Sequence, residues 1–180
     1  SEQSSTVSQA WFGFQFSLGF LTVFRTQLAY SRYWEGATLM GRIRGQWFNA
    51  TSNLFAFCSP KDEKKEQVDH FQQYLVRLVS MLHCSALQQI ADVAAEGFEI
   101  LNVDGVDAAG LKFLDDNPEE RCFILLQWIQ RHIMDAQGSG VLSAPPPIIS
   151  RVFQEFGNGI VHIQDAEKLT SIKFPFPYAQ

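Results

Sequence analysis

The chain has 180 residues, enough for one domain with a substantial core. Hydrophobic residues make up 46 % of the sequence and charged residues only 18 %, whereas an ordinary soluble domain has roughly 25 % charged residues. The net charge of −5 disfavours a nucleic-acid partner, because binding to phosphates requires a basic surface.

A row of phenylalanines dominates the N-terminal part, at positions Phe12, Phe16, Phe20 and Phe24. Residues four apart lie one above the other on a helix, so the spacing predicts an aromatic ridge that winds slowly around one helix. We call these four residues the Phe ridge. Such a ridge must face lipid, a protein core or a pore axis, and the spacing alone leaves all three open.

The segment around the Phe ridge carries signs of a membrane helix. The apolar stretch 10–24 is shorter than the roughly 20 residues of a spanning helix, but a helix that continues through Tyr30 reaches that length. Residues 25–50 then contain four arginines against Glu35 alone, as expected on the cytoplasmic side of a membrane. A pore-lining helix tolerates polar residues on its inner side. A buried helix of a soluble bundle fits the periodicity equally well.

The remaining pattern is helical throughout. Apolar residues recur at helical spacing as far as Phe55 and again over 68–95, whereas 96–117 reads as short helices and loops. Pro118 opens a further helix that ends at Gly138. The next helix is predicted to end at 157–159, followed by a short helix over 164–171. We predict an all-α fold without strands.

No recognised catalytic or metal-binding motif is present, so we expect neither an enzyme nor a cofactor in this chain. The four histidines are scattered and form no i, i+4 pair on a helix. The cysteines number three, an odd count without C-x-x-C spacing, and are predicted to be reduced, buried thiols: Cys58, Cys84 and Cys122.

Two segments of the sequence carry a distinctive spelling. The first is Ser31-Arg32-Tyr33-Trp34-Glu35, and the second comprises Pro145-Pro146-Pro147-Ile148-Ile149-Ser150-Arg151 and Lys173-Phe174-Pro175-Phe176-Pro177-Tyr178-Ala179-Gln180. Together they resemble the bestrophin family of anion channels, in a form most similar to algal and microbial members. The first segment resembles the end of the family's second membrane helix, and the second resembles the approach to its third membrane helix.

The resemblance implies a homopentameric channel with one axial pore, which passes chloride and, in some members, bicarbonate. Counted back from Arg32 and Trp34 at the junction, the family's apolar neck falls on Phe16, Phe20 and Phe24. A second, cytosolic aperture falls on Ile148, and a one-residue shift would move it to Pro147 or Ile149. The calcium clasp of animal members lies after a fourth helix, outside this chain.

The resemblance also divides the chain. It implies a polar lead-in over 1–9, a membrane helix over 10–35, a cytosolic helical domain over 36–173 and an approach to a third membrane helix over 174–180. We therefore expect part of a longer pore-forming subunit in the lipid bilayer of the thylakoid or the plasma membrane, gated at the aromatic neck. The alternative is a non-conducting helical interaction subunit of a membrane protein complex.

Overall fold

The computed structural model describes residues 2–91 and 106–172, with side chains from residue 7 onward. Within these ranges the chain is helical and contains no strand, which confirms the all-α prediction. The helices are α1 (Glu2–Ala56), α2 (Lys65–Ala91), α3 (Ala108–Asp116), α4 (Arg121–Gly138) and α5 (Pro146–Ser171). Short 3₁₀ helices precede α2 and α4, at Asp62–Lys64 and Pro118–Glu120. The predicted approach to a third membrane helix, 174–180, lies outside the described residues.

The chain divides into two compact units, residues 1–38 and 39–180. The first unit consists of the N-terminal part of α1 in the described range. Helix α1 itself continues to Ala56, which confirms the prediction that helical structure persists beyond Trp34. Helix α1 begins at Glu2. The predicted polar lead-in, 1–9, is therefore helical from Glu2 onward.

The core of the second unit is built from one apolar stripe on each of its longer helices. Helix α1 contributes Ile43, Trp47, Ala50 and Leu54, at spacings of three and four residues that keep side chains on one helix face. The same spacing buries Phe71, Leu75, Leu78 and Leu82 of α2, Leu125, Ile129 and Ile133 of α4, and Ile149, Val152, Phe156 and Ile163 of α5. Burying each of the Leu, Ile, Val and Phe side chains contributes roughly 1.5–3 kcal/mol.

The ends of the shorter helices follow local chemistry. Asp107 caps α3, where its carboxylate accepts a 2.9 Å hydrogen bond from the Gly110 N–H. Helix α4 ends at Gly138 as predicted, and the Ser139 N–H donates to the Asp135 carbonyl. Gly140 then adopts a left-handed φ of 72°, a conformation that favours glycine.

Helix α5 corrects the prediction for the C-terminal part. The sequence indicates a helix end at 157–159 and a separate helix over 164–171, but α5 runs unbroken from Pro146 to Ser171. The reason lies at Gly159, where the helix packs directly against the indole of Trp47. The Trp47 Nε1–H also donates a 3.3 Å hydrogen bond to the Phe156 carbonyl. Glycine here permits a close helix contact and does not terminate the helix.

Candidate functional site

The predicted neck residues lie exposed on α1. Phe16 is 78 % exposed, Phe20 63 % and Phe24 41 %. The rings of Phe20 and Phe24 stack with centroids 6.4 Å apart and an interplanar angle of 12°. Helix geometry rotates the ridge by about 40° at each four-residue step and spaces Phe16 and Phe24 about 12 Å apart along the axis. These residues form an exposed apolar strip on the first unit.

The predicted junction residues follow on the same helix. Trp34 is exposed, and its ring stacks on that of Tyr30 with centroids 6.3 Å apart. Arg32 is exposed as well. The junction therefore combines an aromatic pair with a guanidinium group, an amphipathic combination that suits a membrane–water interface.

Several hydroxyl groups near the Phe ridge donate hydrogen bonds back to their own helix. Ser17 Oγ–H donates to the Gly13 carbonyl at 3.0 Å, Thr22 Oγ1–H to Leu18 at 2.8 Å, and Thr26 Oγ1–H to Thr22 at 2.8 Å. Such bonds satisfy a hydroxyl without water or a neighbouring chain. The hydroxyl groups of this part of α1 are therefore satisfied within the helix itself.

The predicted aperture residue, Ile148, lies in the first turn of α5 and belongs to the second unit. Its side chain is 38 % exposed, whereas that of Ile149 is 1 % exposed and packs in the core. Pro145 precedes the helix, and its carbonyl accepts a 2.9 Å hydrogen bond from the Ile148 N–H. Of the two isoleucines, only Ile148 presents surface outside the core.

Among the described residues of the second unit, His70 stacks on Tyr74, and His83 and His132 also contact aromatic rings. His83 contacts Trp47 edge to face, and His132 stacks on Phe71 with centroids 4.7 Å apart while one ring nitrogen lies 3.3 Å from the Phe71 carbonyl. Burial lowers the pKa of the His83 and His132 imidazoles, and nearby positive charge on Arg44 lowers that of His83 further. Across the described ranges, no three His, Cys, Asp or Glu side chains lie close enough to hold a metal ion.

These lowered pKa values predict acid sensitivity of the fold. Between the folded pKa and the unfolded value of about 6.5, the unfolded chain binds more protons, so stability falls as pH drops through that window. We expect the thermal unfolding midpoint to decline below about pH 6.5, with a shallower decline in His132→Asn. Melting curves across pH measure this, and an identical slope in the variant would contradict it.

The cysteines are free thiols, of which Cys122 is buried whereas Cys58 and Cys84 are half-buried. The buried-thiol prediction is therefore confirmed fully for Cys122 alone. Burial, together with the charge of Glu167, raises the pKa of the Cys122 thiol to about 12. The thiolate is the reactive form, so this thiol is chemically inert at neutral pH.

We expect iodoacetamide at pH 8 to alkylate Cys58 and Cys84 well before Cys122 in the folded protein. At that pH roughly one Cys122 side chain in ten thousand is ionised, given the pKa of about 12. Peptide mass spectrometry after timed quenching gives the order, and the urea-unfolded chain, in which all thiols should react alike, is the control. Equal rates in the folded protein would refute the assignment.

A groove that the sequence pattern does not indicate lies between α2 and α4. The groove measures about 550 Å³ and is lined by Glu66, His70 and Phe71 of α2, by His132 and Asp135 of α4, and by Ser139 directly after α4, among others. The spacings Glu66 to His70 and His132 to Asp135 place each pair on one helix face. A search for mixed carboxylate–imidazole pairs could have found these residues, whereas a search for histidine pairs could not.

A family model described as Bacterial/Fungal Bestrophin protein matches residues 4–180. The chain belongs to the bestrophin family. The resemblance read from the arginine-aromatic and proline-rich segments is thereby confirmed. Bestrophins are channels rather than enzymes, and membership indicates, in general terms, an anion channel of a membrane.

Two further comparisons bear on the chain. Neither the curated proteins nor the solved structures contain a significant match to it. In the ranges 2–91 and 106–172, no helix is both long and apolar enough to cross a membrane.

Proposed function

We propose that this bestrophin is a pore-forming subunit of a homopentameric anion channel, with Phe16, Phe20 and Phe24 of α1 facing the pore axis. The observation that carries the proposal is the exposure of these rings on one winding strip of α1 in a member of the bestrophin family. Exposed large aromatic residues in a row are costly in water and mark an interaction surface or a channel wall. A five-fold axis would place equivalent rings opposite one another.

The stacked rings suit a neck for anions. Aromatic rings are positively polarised at their edges, so rings that turn an edge towards the axis would attract an anion weakly without holding it. An apolar constriction also gates by dewetting, because water leaves a narrow hydrophobic tube before an ion can enter it. The proposed gate is therefore the aromatic neck itself.

Ile148 is proposed as a second constriction, on the cytosolic side. It combines an exposed branched side chain with a fixed backbone position after Pro145–Pro147 at the start of α5. Ile149 cannot take this role without leaving the core, where it is 1 % exposed. With the neck and this aperture, the proposal takes residues 10–35 as the pore helix and 36–173 as a cytosolic helical domain.

Chloride and bicarbonate are the proposed permeant ions, and a lipid bilayer is the proposed surroundings of residues 10–35. Arg32 and Trp34 would mark the cytosolic boundary of the bilayer, because guanidinium and indole groups favour that interface. Residues 1–9 would lead into the pore helix and 174–180 towards a further membrane helix. A thylakoid and a plasma membrane are both proposed locations.

Planar-bilayer recording of the purified full-length protein tests this function. We expect a current whose reversal potential follows the chloride gradient, from particles that native mass spectrometry counts as pentamers. A correctly assembled pentamer without anion current would overturn the channel and favour the alternative, a non-conducting interaction subunit. A conducting particle with another subunit count would overturn only the five-fold axis.

A further inference from the structure

Gln27 lies on α1 about one turn beyond the last residue of the Phe ridge. It follows Phe20 by seven residues, which places it about 10 Å further along the helix axis and only about 20° around it. Gln27 therefore shares the face of Phe20, and it is exposed. The proposed neck accordingly ends at a polar residue that lies in line with it.

The side-chain amide of Gln27 has hydrogen-bonding groups that the chain itself does not use. Three hydroxyl groups close by on α1 have donated their hydrogens to backbone carbonyls: Ser17, Thr22 and Thr26. Within the described ranges, by contrast, the Gln27 amide forms no hydrogen bond. A glutamine amide has two N–H donors and one carbonyl acceptor. Gln27 thus offers unused N–H donors at the end of an apolar strip.

An anion that leaves an apolar constriction needs hydrogen-bond donors. It loses part of its water shell in a narrow hydrophobic tube, and that loss costs free energy unless other donors replace the water. A neutral amide replaces water without the strong attraction of a full positive charge, so the anion can leave again. The nearest arginine, Arg25, lies about 140° around the helix from Phe20 and therefore on another face.

We propose that Gln27 is the anion-coordinating residue at the cytosolic end of the neck, where its side-chain N–H groups bind a small monovalent anion such as chloride. Equivalent glutamines of the other subunits would complete a ring around the axis. This inference rests on the proposed function, because only subunits arranged around the Phe ridge bring these amides together. A pore without the amides would still conduct, but it would bind chloride more weakly.

Planar-bilayer recording of the full-length protein over a series of chloride concentrations tests the site. Gln27→Leu removes the N–H donors and retains a side chain of similar size. We expect the chloride concentration that gives half-maximal single-channel conductance to rise roughly two- to tenfold, the effect of losing a neutral hydrogen bond. An unchanged half-saturating concentration would overturn the inference, whereas a wild-type protein without anion current would overturn the proposed function itself.

Gln27→Glu should have the larger effect, because a carboxylate of nearly the same shape replaces N–H donors by negative charge. We expect single-channel chloride conductance to fall by about tenfold or more. The matched control, Gln15→Glu, adds the same charge at an exposed position about 140° around the helix from Phe20 and should conduct normally. An equal loss in Gln15→Glu would reduce the effect to general surface charge and refute the site. Native mass spectrometry verifies pentamers for each variant, and the uncharged Gln27→Leu decides the outcome if Gln27→Glu does not assemble.

Discussion

Gly159→Ala is expected to lower the free energy of unfolding by about 1–3 kcal/mol, although alanine favours helices over glycine. A Cβ at this position would overlap the Trp47 indole, with Cδ1 only 2.8 Å away. The indole cannot withdraw freely, because its Nε1–H is bonded to the Phe156 carbonyl and its ring meets His83. Thermal or urea unfolding followed by tryptophan fluorescence measures the loss.

Gly157→Ala is the matched control, two residues earlier in the same helix. A Cβ at Gly157 meets no atom within 4 Å, so the substitution should stabilise the protein by up to about 1 kcal/mol through helix propensity. The two variants therefore move the unfolding midpoint in opposite directions. Stabilisation by both would show that α5 and Trp47 do not pack as closely as described.

Phe20→Ala is expected to raise the open-channel anion current of the proposed pore severalfold. Five truncated side chains at the middle of the neck would widen it and lower the cost of keeping it wet. The variant also removes the partner on which Phe24 stacks, at 6.4 Å between centroids. Single-channel conductance and open probability, recorded under symmetric chloride, report the two effects separately.

Phe14→Ala provides the matched control for the neck. Phe14 is exposed on the same helix, but helix geometry places it about 160° around the axis from Phe16. The same truncation on that face should leave single-channel conductance unchanged. If Phe14→Ala altered conductance as strongly as Phe20→Ala, the Phe ridge would not be the face that lines the pore.

Much of the helical framework could be predicted from local pattern alone. The spacing of apolar residues from Phe71 to Leu82 determines a buried face without reference to any partner, and Gly138 ends α4 where the pattern stops. The break predicted at 157–159 was wrong for a non-local reason. Whether glycine ends a helix or admits a neighbour depends on Trp47, more than a hundred residues away in sequence.

For the candidate site too, local sequence spacing predicted some features, whereas others depend on residues that are distant in the sequence. Four-residue spacing located the Phe ridge, but only registration against Arg32 and Trp34 suggested which face of it lines a pore. Burial, which the sequence does not state, distinguishes Ile148 from Ile149. The groove between α2 and α4 was missed because its lining residues come together only when the two helices pack.

The hydroxyl groups of Ser17, Thr22 and Thr26 have a consequence for ion selectivity in the proposed pore. Each has already donated its hydrogen to a backbone carbonyl, so none remains to replace the water that an entering anion gives up. The relative permeability of the anions would then follow their hydration free energies. Large, weakly hydrated anions such as iodide would cross more readily than chloride, and fluoride least readily.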